Sequence, residues 1–221
     1  MSEPLLVIGN RNYSSWSLRA WLALSHCGLR FDVHRIALDT PQFAEEIGRY
    51  SRAARVPVLI DAGTVIWDSL AIAEYGADRT GRGWPADPTA RAVARSATAE
   101  MHSGFAALRR AWPMNIRARG RRVEPESAVR ADLKRIDELW TECRRRYGNH
   151  GPWLFGEYSI ADAYYAPIVC RLATYGLDWI GSEARDYVAA SLAEPALAEW
   201  SAAALAETEL LPGEEVGLTG R

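Results

Sequence analysis

The chain has 221 residues, enough for one large domain or two small ones. Apolar residues make up 48% of it and charged residues 24%, which excludes a disordered chain and fits a soluble globular one. The 26 basic and 28 acidic side chains leave a formal charge of -2, which excludes a general attraction to nucleic acid or to an anionic membrane surface.

Cys27, Cys143 and Cys170 are too few and too scattered for a disulfide framework, and no C-x-x-C pair occurs, so a reducing cytoplasm is the expected setting. The opening MSEPLLVIG has no basic region leading into an apolar core, and no apolar run approaches the roughly 20 residues that span a bilayer.

Leu5 to Gly9 is a short continuous apolar run, the pattern of a strand buried on both faces. From Ser15 to Cys27, Leu18, Trp21, Leu22 and Leu24 recur at helical spacing, and Gly28 supplies a stop. FDVHRIAL alternates like a second strand, and TPQFAEEI predicts a helix with Thr40 as cap and Pro41 in its first turn. Val56 to Ile60 and Thr64 to Trp67 read as a hairpin about the turn Asp61-Ala62-Gly63. DSLAIAEYGADR resumes the helical period at once, with Gly76 costing it roughly 1 kcal/mol relative to Ala.

TGRGWPADP shifts to linker composition, so the domain boundary is expected at residues 80–88, after a first domain of residues 1–79. Residues 89–212 read as all-helical: Pro88 to Ala111, Pro125 to Tyr147, Ser159 to about Thr174, Ala184 to Leu192 and Pro195 to Ala206, with no second set of strands. LPGEEVGLTGR is polar and Gly-containing, and residues 213–221 are expected to be a loosely held tail.

NYSSWSLRAWLAL places Ser14, Ser15 and Ser17 at the start of the first helix, more hydroxyls than one cap needs. With RVPVLI before the hairpin, WDSLAIAEY after it and LFGEYSIADAYYAP in the second half, the chain resembles the cytosolic glutathione transferases. It is similar to the bacterial serine-type members, a group close to the zeta class. The resemblance implies a thioredoxin-like α/β domain followed by an all-α domain, glutathione as co-substrate, and a homodimer. The implied activity is attack of the glutathione thiolate on a small electrophile. A maleyl-acid isomerase, a glutathione-dependent peroxidase or disulfide reductase, and a non-catalytic glutathione-binding module are the alternatives.

Because a free thiol has a pKa near 8.5, such a site must stabilise the anion. A hydroxyl donor contributes about 1.5 to 3 kcal/mol and a helix amino end about 0.3 to 1, together one to three pKa units. Ser14 is the expected donor, with Ser15 its competitor and the expected cap, Ser17 structural, and Asn12 and Tyr13 minor candidates; plain capping by all the serines is the alternative.

The resemblance further implies a cis Val56–Pro57 bond, with the Val56 backbone pairing with the cysteinyl backbone of the tripeptide. It implies that Ser69 at a helix amino end takes the γ-glutamyl carboxylate, and that Asp68, where the family commonly has Glu, takes the ammonium group. Each of these also reads as an ordinary strand-start proline or an Asp/Ser cap. Arg52 and Arg55 are candidates for the glycyl carboxylate, Arg55 standing where many relatives have Gln.

The second substrate is expected against MHSGFAALRRAWPMN, with His102, Ser103, Phe105, Arg109, Trp112, Met114 and Asn115 as possible wall residues, although Phe105 and Trp112 read equally as core. RRAWPMNIRARGRR either attracts anionic substrates or solvates a bend, the second being favoured. His26, His34, His102 and His150 lack metal-ligand spacing, and Ser159 with Asp162 forms a capping box whose role is folding.

Overall fold

A computed structural model describes residues 3–219. Strand β1 (Leu5–Ile8) pairs in parallel with β2 (Asp32–Arg35), Leu5 opposite Asp32 and Ile8 opposite Arg35. On its other side β1 runs antiparallel to β3 (Val58–Asp61), Leu5 opposite Ile60, and β3 turns back into β4 (Thr64–Trp67). The order is therefore β2-β1-β3-β4.

Strand side chains alternate between faces, and the burial follows that period. Leu6, Ile8 and Leu59 join the core under α1 (Ser15–Cys27) and α3 (Ser69–Thr80), whereas Val7 and Val58 meet Ile47 of α2 (Pro41–Tyr50) in a smaller second cluster. Gly28 ends α1 in the left-handed region at φ 77°, its N–H bonding the carbonyls of Leu24 and Ser25. Thr40 caps α2 by accepting from the Phe43 amide, and Pro41 fills a position that needs no N–H.

The second domain comprises α4 (Pro88–Ser103), α5 (Ala106–Ala111), α6 (Ser127–Tyr147), α7 (Ile160–Tyr175), α8 (Ser182–Leu192) and α9 (Pro195–Leu205). Most of α7 is buried, and it packs against both α1 and α4. The capping box at its start is formed: Ser159 N–H and Oγ donate to Asp162 Oδ2 at 2.8 and 2.9 Å. The molecule is thus a thioredoxin-like α/β domain followed by a helical region. No helix among the described residues is long and apolar enough to cross a membrane.

Three expectations are corrected. The helix read from Pro88 to Ala111 is two helices, broken where Phe105 takes the left-handed conformation at φ 55°. Gly104 permits the break, since a Cβ there would stand 2.6 Å from the Glu100 carbonyl oxygen. Asp132 of α6 then receives the Leu108 amide at 2.9 Å, a tertiary cap that local sequence does not announce.

A second pair of strands does exist. Arg121–Arg122 (β5) pairs antiparallel with Leu218–Thr219 (β6). The segment expected to be a loose tail is held along its described length. Pro212–Glu214 forms a 3-10 turn, and Glu215 accepts from Tyr13 Oη, Asn115 Nδ2 and Arg121 Nη2 at 2.7, 2.8 and 2.6 Å. The rest of that expectation, at Gly220 and Arg221, lies outside the described residues.

Candidate functional site

Two adjoining cavities open beside the amino end of α1. The first, about 440 Å³, is lined by Trp16, Ala53, Arg55, Val56, Pro57, Trp67, Asp68 and Ser69. The second, about 460 Å³, adds Tyr13, Ser14, Ser15, Leu38, Phe43, Arg109, Arg171 and Glu214 to the shared Trp16, Arg55 and Val56. Any ligand running from one to the other passes Val56 and the helix end.

The serines divide their roles differently from the sequence reading. The cap is Ser14, not Ser15: at φ -78° and ψ 85° it lies just outside the helix, and its Oγ accepts the Ser17 amide at 3.3 Å. Ser14 Oγ also donates to Ser17 Oγ at 2.7 Å, and Ser17 Oγ accepts the Gly9 amide at 3.1 Å. Ser17 O–H therefore has no acceptor among the described residues while Ser14 points its proton inward. Ser15 is half-buried on the wall of the second cavity.

Asn12 and Tyr13 are tied into the scaffold. Asn12, fully buried, bonds Asn115 Oδ1 at 3.0 Å and accepts the Arg117 amide at 2.8 Å. Tyr13 Oη donates to Glu215 and accepts from Arg117 at 2.8 Å, and its pKa is raised, first by burial and then by the Glu215 carboxylate. A phenol so placed is a poor source of charge for a nearby sulfur.

The Val56–Pro57 bond is cis, and both residues line the first cavity. Asp68 caps α3 in the left-handed region at φ 72°; its Oδ1 accepts the Leu70 amide at 2.8 Å, and its Oδ2 lies 3.5 Å from His102 Nε2. Ser69 Oγ is buried against Tyr164 Oη at 2.9 Å, so its side chain is used by the fold and its backbone amide is what the helix end offers a ligand. Arg55 is exposed between the two cavities; Arg52 is exposed but on the wall of neither.

Of the expected second-substrate wall, Arg109 alone lines the second cavity. Phe105, Trp112 and Met114 are 7%, 1% and 0% exposed and belong to the main hydrophobic core, because the break at Phe105 turns the following chain inward. His102 stands behind the wall, half-buried between Asp68 and the edge of Trp16, whose ring centroid is 5.3 Å away. Arg171 was missed. Within the pattern of α7 it is the one basic residue on a mostly apolar helix, and only the packing shows that it reaches the cavity.

In the basic run 109–122, Arg110, Arg119 and Arg122 are exposed, whereas Arg117 and Arg121 bind the end of the chain. Arg117 donates to the carbonyl oxygens of Glu207 and Glu209, and Arg119 to those of Ile116 and Ala118. Cys27, Cys143 and Cys170 are pushed up by burial to about 11, 12 and 12, and none supplies a thiolate near neutral pH.

A thioredoxin-like domain carrying a cis-proline loop, joined to a helical bundle with the cleft between them, is the architecture of the glutathione transferases. Residues 13–79 match the family model described as the glutathione S-transferase N-terminal domain. Among solved structures the chain is similar to a glutathione transferase homolog from Burkholderia crystallised with bound glutathione, at 22% identity over 92% of this chain and 98% of that one, TM-score 0.67. It is also similar to an unclassified glutathione S-transferase from Bombyx mori, at 22% identity over 92% and 94%, TM-score 0.73. A third, Ure2p in complex with glutathione, is 19% identical over 90% and 93%, TM-score 0.66.

Proposed function

We propose that this protein is a glutathione transferase of the serine type, close to the zeta class, which holds glutathione across the first cavity and ionises its thiol at the junction with the second. The observation that carries the reading is the shared wall at Val56. It sets a peptide-sized cavity with a helix amino end at one side against a hydroxyl pair and a second helix amino end at the other.

In this reading the γ-glutamyl group lies at Asp68 and the Ser69 amide, the cysteinyl backbone pairs with Val56, and the glycyl carboxylate meets Arg55. The sulfur then falls at Ser14. Reversing the Ser14–Ser17 bond lets Ser17 O–H donate to Ser14 Oγ while Ser14 O–H donates to the sulfur. Both protons are then used, whereas Ser17 otherwise keeps an unused donor, so an anion at this point is favoured. Ser15 stands alongside as the other hydroxyl.

Losing a charge-assisted hydrogen bond of about 1.5 to 3 kcal/mol corresponds to a rise of about one to two units in thiol pKa. Ser14→Ala is therefore expected to raise the pKa of bound glutathione by that amount, and Ser17→Ala by less, read by ultraviolet thiolate absorbance across a pH series. If Ser15→Ala alone moves the titration, the donor is Ser15. If no serine variant moves it, this account of the chemistry fails. The Burkholderia and Ure2p structures, each with glutathione, support the ligand assignment.

A further inference from the structure

The turn that delivers Ser14 makes few bonds of its own. The Asn10 carbonyl accepts the Tyr13 and Ser14 amides at 3.3 and 2.8 Å, which leaves the Arg11 and Asn12 amides unused within the turn. Amides kept from water need acceptors, and two in succession form a small concavity suited to an anion. Glu207, just past the carboxyl end of α9, fills it. Its Oε1 accepts the Arg11 amide at 2.8 Å and its Oε2 the Asn12 amide at 3.1 Å.

This carboxylate is built into the fold. Its side chain is 6% exposed, Arg35 Nε stands 3.8 Å from Oε1, and Arg117 donates to the Glu207 carbonyl oxygen. The helical region grips the same turn twice more: Trp200 Nε1 donates to the Arg11 carbonyl at 2.9 Å, and the Arg117 amide to Asn12 Oδ1 at 2.8 Å. Among the described residues every hydrogen bond of Ser14 stays within residues 10–18. The place of its hydroxyl relative to the two cavities is therefore set by whatever holds the turn, and Glu207 holds both of the turn's spare amides.

We infer that Glu207 is a positioning residue for the thiolate donor: a carboxylate from beyond α9 fixes the turn so that the Ser14 hydroxyl is aimed at the sulfur. This rests on the reading that the sulfur of glutathione falls at Ser14. Charge and position predict opposite signs for its removal. A carboxylate near the sulfur disfavours a second negative charge, so losing it as a charge would lower the thiol pKa. Losing it as a clamp leaves amides without an acceptor, frees the turn and raises that pKa.

The test titrates the thiolate absorbance of the glutathione complex in the full chain and in three variants. Glu207→Gln offers one oxygen to two amides, and it is expected to raise the pKa of bound glutathione by about one unit, up to about tenfold less thiolate at a given pH. Glu207→Asp keeps the charge one methylene short and is expected to raise it less; it carries the test if the first variant does not fold. Glu209→Gln removes the same charge from the same segment, but that carboxylate bonds Arg35 at 2.8 Å and not the turn. It is expected to leave the titration unmoved or slightly lowered.

S-methylglutathione has no ionisable thiol, so its affinity reports the rest of the site. It is expected to stay within about twofold of the parent in every variant. A pKa rise confined to the Glu207 variants, with that affinity held, supports the inference. A titration unmoved or lowered in folded Glu207→Gln, or an equal loss of S-methylglutathione binding, overturns it and leaves the transferase reading standing. A parent complex with no thiolate absorbance near neutral pH overturns that reading, and this inference with it.

Discussion

Cys27 closes α1 on the side away from the site, 1% exposed, and burial raises its thiol to about 11. At pH 8 about one such thiol in a thousand is ionised, and Cys143 and Cys170, near 12, are lower still. Because alkylation needs the thiolate, the sign is fixed: reactivity stays negligible at pH 8 and rises only as pH approaches those values. Native protein treated with iodoacetamide at pH 8 is expected to carry no label by intact mass, and denatured protein three. Prompt labelling of the native chain, or loss of turnover with it, would show a reactive protein thiol and revive a redox role.

At this scale the sequence singled out Ser14, Ser15, Val56, Pro57, Asp68 and Ser69, which the fold brings to the walls of the two cavities, but it could not assign the cap. Capping depends on the backbone angles of Ser14, which a run of adjacent hydroxyls does not reveal. Arg171 escaped for a similar reason, since a single basic residue in a helix gives no hint of what it faces until α5 and the chain end are packed around it.

Between elements, α1 and α3 approach each other at Gly76. The sequence shows this residue only as a helix weakener, whereas the packing shows its use: a Cβ would stand 2.7 Å from Leu24 Cδ2, in a side chain that is fully buried. Gly76→Ala would gain about 1 kcal/mol in helix propensity and lose about 1 to 3 to overpacking. The expected net result is destabilisation by up to about 2 kcal/mol, read from the urea midpoint with the slope unchanged. A variant as stable as the parent would mean that Leu24 moves aside freely.

The long elements were legible because their apolar period is sustained, as in α1 and α6. The break at Phe105 was not, because the apolar period runs straight through it and the partner that caps α5 is Asp132 in another helix. The two-residue strands β5 and β6 carry no period at all, and their pairing is a tertiary fact.

Across the whole molecule, the domain boundary visible in sequence at residues 80–88 is not a boundary in the core. The main apolar cluster runs without interruption from Leu6 and Leu18 through Ile72 to Met101, Trp140, Tyr164 and Trp200. Polar contacts cross the same seam: Arg19 Nε to the Tyr164 carbonyl at 3.2 Å, the Ile160 amide to the Gly83 carbonyl at 2.8 Å, and Trp200 Nε1 to the Arg11 carbonyl at 2.9 Å. Separating the halves would leave Arg19 charged against water-exposed apolar helix faces and strip α7 of its packing against α1.

Neither half then has a stable state of its own in which the other is unfolded, since each would expose the face that completes its core. Calorimetry of the full chain is accordingly expected to give one transition, with the van't Hoff enthalpy close to the calorimetric enthalpy, and fluorescence and far-ultraviolet dichroism to follow the same curve. Residues 1–79 expressed alone are expected to show no cooperative melt. Two resolved transitions, or a sharply melting first domain, would mean that the seam between α1 and α7 contributes too little to couple the two cores. The site would then have to be described as a cleft between independent bodies.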